Sequence, residues 1–242
     1  GDLLRLSADI GHQYHFIDNP RPSVTPNGGL PSAPDADDNF AQPWTYSKEK
    51  QTFGTFRAEY DFTDAVTGWL AAGVREGEEQ NRLANPRATA SGTTTASRFD
   101  NYREDSIFTS EAGLRMRLQT GAVSHQLVTS AAIFDSQEKG ANQFYAPVAG
   151  NLYDSFDAAL PTTVTYDGGD LSDPHVTERI HTKSMALADT LGFMDDRLLV
   201  TLGARWQGIE TKSYSSQTGN RSGQYDDHEI TPVAGIVYML TD

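Results

Sequence analysis

Ten side chains have the chemistry to hold a ligand: Trp44, Tyr46, Arg82, Tyr102, Arg103, Phe144, Tyr145, Tyr153, Tyr214 and Tyr225. All stand in or at the bases of polar, turn-rich stretches that interrupt more regular sequence. Aromatic faces and charged donors suit a planar, electron-rich ligand. Taken singly, each is explained by loop packing; only as a set are they a candidate binding site.

Other chemistries find less support. The six histidines are His12, His15, His125, His175, His181 and His228. His12 and His15 are three apart, which on a strand puts them on opposite faces, so they cannot chelate one metal together. The acidic runs Asp35, Asp37, Asp38 and Asp167, Asp170, Asp173 lack the spacing and terminal glutamate of an EF-hand. With no cysteine, neither a thiolate metal site nor a disulfide framework is available. No metal site is expected. The paired carboxylates Glu78 and Glu79 are adjacent, face opposite ways on a strand and make poor acid–base partners. No catalytic residue and no cofactor follow from these groups; the expectation is a binding protein, not an enzyme.

The chain has 242 residues and a net charge of -14. That balance, without clustered Lys and Arg, argues against nucleic acid. Its mean hydropathy is -0.52, and its longest apolar stretches fall far short of the roughly 18 residues of a membrane-spanning helix. Such an average still fits membrane-spanning strands, because only alternate residues of a spanning strand meet lipid. The opening Gly1-Asp2-Leu3-Leu4-Arg5-Leu6 has no initiator Met, basic segment or apolar segment, so a targeting leader is expected to be absent or removed.

The elements that must position the candidate residues announce themselves by a period of two. In Phe108 to Gln119, one face carries Phe108, Ala112, Leu114, Met116 and Leu118, and the other Glu111, Arg115, Arg117 and Gln119. Phe56, Ala58, Tyr60 and Phe62 oppose Arg57, Glu59 and Asp61 in the same way. Leu198, Val200, Leu202, Ala204 and Trp206 oppose a small or polar face. About eight strands are predicted: near Leu4 to Phe16, Tyr46 to Phe62, Val66 to Glu79, Arg103 to Gln119, Val123 to Glu138, Glu178 to Phe193, Leu198 to Tyr214 and His228 to Leu240.

The connections fall into two classes. Tight turns are expected at Thr63-Asp64-Ala65, Thr120-Gly121-Ala122 and Met194-Asp195-Asp196-Arg197. Long excursions run from Ile17 to Trp44, Gln80 to Tyr102, Lys139 to Thr177 and Ser215 to Asp227. They hold Pro20, Pro22, Pro26, Pro31 and Pro34 among turn-forming residues such as Asn27-Gly28-Gly29 and Asp167-Gly168-Gly169-Asp170. Strict alternation of short and long links is what a barrel with short periplasmic turns and long extracellular loops produces. The aromatics Tyr60, Phe62, Trp69, Phe193 and Tyr238 collect near the turn ends, compatible with an interfacial girdle or with packing in a soluble barrel.

Ala188-Asp189-Thr190-Leu191-Gly192-Phe193, then Asp196-Arg197-Leu198, then Thr201-Leu202-Gly203-Ala204-Arg205-Trp206, resembles the paired barrel strands of TonB-dependent siderophore receptors. Ile230 to Tyr238 resembles the strand that follows, with Val233 where an arginine is common. The specific residues cover Ala188 to Tyr238; the strand-and-loop rhythm covers nearly the whole chain. The resemblance implies an all-β fold, antiparallel up-and-down strands of a transmembrane outer-membrane β-barrel, here a partial barrel of about eight strands. It further implies that residues 1–242 are a fragment of that barrel domain, the plug domain being absent. The ligand would be a ferric siderophore, the partners outer-membrane lipid and the TonB energy-coupling complex acting through the missing plug, and the location the outer membrane of a Gram-negative bacterium. The final strand, ending at Met239-Leu240-Thr241-Asp242, would lead into a turn and a further strand.

Arg205, with Gly203 and Thr201, is expected to face the lumen and to pair there with carboxylates such as Glu111 or Asp189. Two other readings stay open: a complete small outer-membrane barrel with a structural or adhesion role, and a soluble ligand-binding barrel whose apolar face points inward.

Overall fold

A computed structural model describes residues 3–154 and 156–240; Gly1, Asp2, Ser155, Thr241 and Asp242 lie outside the described residues, and with them the last residues of the expected final turn. The fold is one antiparallel sheet. Its long strands are β1 (Leu4–Asp18), β3 (Tyr46–Thr63), β4 (Val66–Leu83), β6 (Thr93–Thr120), β7 (Val123–Asn151), β9 (Val176–Phe193), β10 (Leu198–Tyr214) and β11 (Arg221–Tyr238). Three short strands, β2 (Thr25–Pro26), β5 (Arg87–Ala88) and β8 (Val164–Asp167), belong to the long connections. The long strands pair in the order β1-β3-β4-β6-β7-β9-β10-β11, each beside its sequence neighbour. Among the described residues β1 and β11 do not pair with each other, so the sheet is open.

The tight turns form where expected. Thr63 pairs directly with Val66 and Thr120 with Val123, leaving two-residue links. Gly121 has φ +62°, the sign a two-residue hairpin needs at its first position and one that a side chain resists. The Met194-Asp195-Asp196 turn takes φ +58°, +58° and +67° without a glycine. The Asp196 carboxylate accepts a hydrogen bond from Ser124 Oγ, a tether that offsets part of that strain.

Three of the expected long excursions are in good part strand. β4 continues to Leu83, β6 begins at Thr93, β7 runs 29 residues to Asn151, and β11 begins at Arg221 rather than near His228. The β-branched run Thr93-Thr94-Thr95 and the aromatics Phe99 and Tyr102 supply the strand propensity. Pro147 sits in β7 next to the register shift at Ser97/Phe99, where a missing N–H is tolerated. At about 3.3 Å per residue these strands reach roughly 90 Å, far beyond a hydrocarbon core of about 30 Å even when tilted.

Register places every apolar row on one face. Leu6, Ala58, Leu70 and Ala112 pair in sequence, and so do Ala131, Met185, Trp206 and Ile230. On each strand the apolar run is about ten residues long, the length a tilted strand needs to span a bilayer. Its members are exposed: Leu6 61%, Leu70 47%, Met185 64% and Ile236 74%. Along this face Tyr60 and Phe62 pack edge to face at 5.1 Å near the turn end. Trp69 corrects the expected girdle. It pairs with Glu59 and Gly113 on the opposite, polar face, donates to Glu111 Oε1 at 2.6 Å and lies under Arg115. A Cβ at Gly113 would stand 2.3 Å from the Trp69 ring, so the glycine makes room for the indole.

Candidate functional site

The polar face starts, at the turn end, with a dense ion-pair ladder. Arg5 bridges Glu59 and Asp61, and Glu59 also accepts from Arg57 and Arg115. Arg205 is on this face, as expected, but its partner is Ser184 Oγ at 3.1 Å rather than a carboxylate. The reason is register. Asp189 pairs with Leu127 and Leu202 on the apolar face, where it takes the His125 ring nitrogen at 2.7 Å, while Glu111 is engaged by Trp69.

Higher on the same face, beyond the apolar band, the rows become mixed. Arg75 pairs with Asp105 at 2.5 Å, and Arg103 bridges Glu79 at 3.2 Å and Glu138 at 3.6 Å. Arg75, Asp105, Arg103 and Glu79 line a depression of about 240 Å³ together with Gln13, His15 and Glu49. The next row is an amide ladder, Asn81 opposite Asn101 opposite Asn142. Both Asn81 and Asn101 donate to Glu79. The row above that is apolar and mostly aromatic: Leu83, Phe99, Phe144 and Tyr166 lie side by side across β4, β6, β7 and β8. Ring centroids are 4.8 Å apart for Phe99 and Phe144 and 6.1 Å for Phe144 and Tyr166.

The opposite face of this upper region is covered. Arg98 and Asp100 are buried as a two-point pair at 2.8 and 2.5 Å, with the Arg98 guanidinium 3.8 Å above the Tyr145 ring. Arg82 completes the cluster, holding Asp100 at 3.3 Å and lying over the Tyr46 ring. Loop segments close over it: Arg98 donates to the Pro161 carbonyl at 2.6 Å, Trp44 Nε1 to the Ala158 carbonyl at 3.1 Å, and Tyr153 Oη to the Ser32 carbonyl at 2.9 Å. In the last loops, two hydrogen bonds from Ser172 hold the Asp170 carboxyl below the usual carboxylate range.

The ten candidate residues therefore divide. Trp44, Tyr46, Arg82, Tyr145 and Tyr153 belong to the loop-covered cluster. Tyr102 and Tyr214 share its face, Tyr102 donating to Glu104 and Tyr214 lying under Arg179. Arg103, Phe144 and Tyr225 stand on the polar face, where Tyr225 bonds Asp227 at 3.0 Å. Sequence reasoning missed Phe99, Tyr166 and the amide ladder. Phe99, Asn101, Arg103 and Asp105 alternate with period two, a signal that reading residues 80–102 as loop concealed. His12 and His15 fall on opposite faces, as expected: His12 bonds Thr52 and His15 lines the polar depression. Glu78 and Glu79 split likewise, to Lys48 and Lys50 on one side and Arg103 on the other.

An up-and-down antiparallel wall with one apolar band, one polar face, tight links at one end and long loops at the other defines a transmembrane β-barrel wall. The family model described as TonB dependent receptor-like, beta-barrel matches residues 2–242, and the chain belongs to that family. The ferrichrome receptor FcuA of Yersinia enterocolitica is 31% identical over 241 residues, covering 98% of this chain and 31% of FcuA. Among solved structures, the ferric preacinetobactin receptor BauA of Acinetobacter baumannii superposes with a TM-score of 0.82 at 23% identity, covering 100% of this chain and 36% of BauA. The siderophore receptor PiuA of the same organism gives 0.71 at 14% identity, with 98% and 38% covered. These two likenesses show the fold. The chain spans about a third of the length of the relatives it matches. In a barrel of this class the apolar face meets lipid and the polar face lines the lumen.

Proposed function

We propose that this chain is part of the barrel wall of an outer-membrane receptor that takes up a ferric siderophore, with energy supplied by the TonB complex through a plug carried elsewhere in the full-length protein. The observation that carries the reading is the match to the family along the whole chain, together with a wall that has a lipid-type band on one face and a ligand-type surface on the other. FcuA, by its name a ferrichrome receptor, adds support for the substrate class. The barrel is larger than these eight long strands, because the relatives are about three times as long. Its role is binding and translocation, with no covalent step, no resident cofactor and no nucleic acid.

The test uses the full-length gene product in a Gram-negative host that lacks its own ferric-siderophore receptors. Radiolabelled iron supplied as ferrichrome is expected to enter the cell only when both this protein and TonB are present. Uptake that persists without TonB, or no binding of any ferric siderophore by the purified receptor, would overturn the reading. Deleting 139–177 is expected to weaken binding, since Phe144 and Tyr166 go with it.

A further inference from the structure

We infer that the lipid face carries a fixed-lipid site, a groove in the turn-end half of the apolar band that seats one acyl chain of a periplasmic-leaflet phospholipid, whatever ligand the receptor transports. The groove has a volume of about 580 Å³ and sets small side chains, Gly68, Ala112 and Ala131, among bulky ones, Phe62, Leu114 and Met185. Register makes it a concavity of the wall rather than of one strand. Tyr60 pairs with Gly68 and Gly68 with Leu114, while Ala112 pairs with Ala131 and Ala131 with Met185, so five strands contribute. One end is closed. A Cβ at Gly68 would stand 2.7 Å from the Phe62 ring and 3.2 Å from Leu114 Cδ2, so those two side chains lie over the glycine. Beyond them Ala112 and Ala131 stay exposed. Phe62 adjoins the turn into β4, and Ala112 sits midway along the apolar run of β6. The groove therefore lies on the side of the short turns, which in this class of barrel is the periplasmic side.

The shape and one hydroxyl choose the occupant. In hydrocarbon no water is displaced, so dispersion contacts decide what fills the groove. A gap left over Ala112 and Ala131 forfeits those contacts, and a chain laid into it recovers them. A second barrel presents a convex wall, which bridges a concavity without entering it. Two turns of a transmembrane helix, about 10 Å across and about 11 Å long, take up roughly 850 Å³ and would rest on the rim. An acyl chain is the slender alternative that the membrane itself supplies. The hydroxyl belongs to Tyr60, another lining residue. Its ring packs on Phe62, but the phenol oxygen has no hydrogen-bond partner among the described residues. A tyrosine at a membrane boundary turns its polar end to a partner, and the phosphate and ester oxygens of a phospholipid accept from it. A lipid with its headgroup region at Tyr60 runs its chain past Gly68 toward Ala112 and Ala131, which is the direction in which the groove opens.

The test reconstitutes the full-length receptor in vesicles of phosphatidylethanolamine and phosphatidylglycerol, with a trace of phosphatidylethanolamine that carries a photoactivatable diazirine midway along one chain. After irradiation the lipid adducts are mapped by mass spectrometry. Adducts around Ala112, Ala131 and Met185 are expected to exceed those around Leu202 and Ile236, which share the band but lie outside the groove, by about five-fold. Ala112→Phe and Ala131→Phe, each made separately, fill the groove and are expected to bring that excess down to the level at Leu202. Each exchanges one exposed apolar side chain for another on the lipid face, so assembly and iron uptake are expected to be unchanged. Tyr60→Phe keeps the ring and is expected to lower the excess about three-fold. Even labelling along the band, or an excess that survives both Ala112→Phe and Ala131→Phe, overturns the site and leaves the receptor reading intact. A photoreactive residue in place of Ala112 is expected to capture lipid, and capture of a second receptor copy instead overturns the acyl-chain occupant.

Discussion

β6 runs through two solvents, and its two halves are built differently. From Phe108 to Leu118 its apolar side chains stand exposed in a single-layer wall, with Phe108 at 40% and Leu118 at 52%. From Thr94 to Asp100 the same face is buried, as Thr94, Ala96, Arg98 and Asp100, beneath loop segments. The other buried side chains large enough to form a core, such as Tyr145 and Leu152, lie in this upper region too. Where lipid is the solvent, the apolar face needs no protein cover. Above the bilayer water is the solvent, so the chain must fold its loops back to bury apolar atoms and pair its charges. A strand in a membrane is finished by the membrane, whereas the same strand in water is finished by its own sequence.

The comparison is most exposed to failure at Arg98. Arg98→Leu leaves Asp100 buried with only the longer contact to Arg82, and is expected to cost about 3 kcal/mol. Hydrogen exchange on the full-length receptor should then rise in 19–45 and 152–163 but not in the lower half of β7; unchanged exchange in the loops would remove the cluster as their anchor. In the lower region, Leu202→Arg or Leu114→Arg places a charge on the lipid face and is expected to cost about 2 to 4 kcal/mol near the bilayer midplane. Thr201→Arg, one residue away on the lumen face, serves as the control. Equal folding yields in lipid vesicles for Leu202→Arg and Thr201→Arg would contradict the assigned direction of the two faces.

Gly113→Val sharpens the lumen side of the same stretch. The new side chain meets both the Trp69 ring and the Thr129 carbonyl oxygen within 2.5 Å, so overpacking of roughly 1 to 3 kcal/mol is expected, with a shift in Trp69 fluorescence. Trp44→Phe has the smallest effect. It keeps the ring but loses the hydrogen bond to Ala158, worth about 1 kcal/mol, and should speed proteolytic nicking of 152–163 without altering assembly of the barrel.

The lower wall was legible in the sequence almost to the residue: the period of two gave the strands, and the segregation of short from long links gave the two ends. The upper region was not. The stretches from Gln80 to Tyr102 and from Lys139 to Thr177 read as loop, because local propensity cannot register that two distant segments extend each other as a hairpin. All of the candidate aromatics were placed in one set because all lie at loop bases, yet Tyr145 and Phe144, adjacent in sequence, serve opposite faces.

Alternation and link length alone therefore determined that this chain is an antiparallel wall with a polar and an apolar side, since both properties are local and repeat along the chain. Only the tertiary structure decided which side chains share a row. Asp189 is taken from the lumen and given to His125, Trp69 is taken from the girdle and given to Glu111, and Phe99 joins Phe144 and Tyr166. Register is set by pairing across many residues, and a slip of one position would send each of these side chains to the other face.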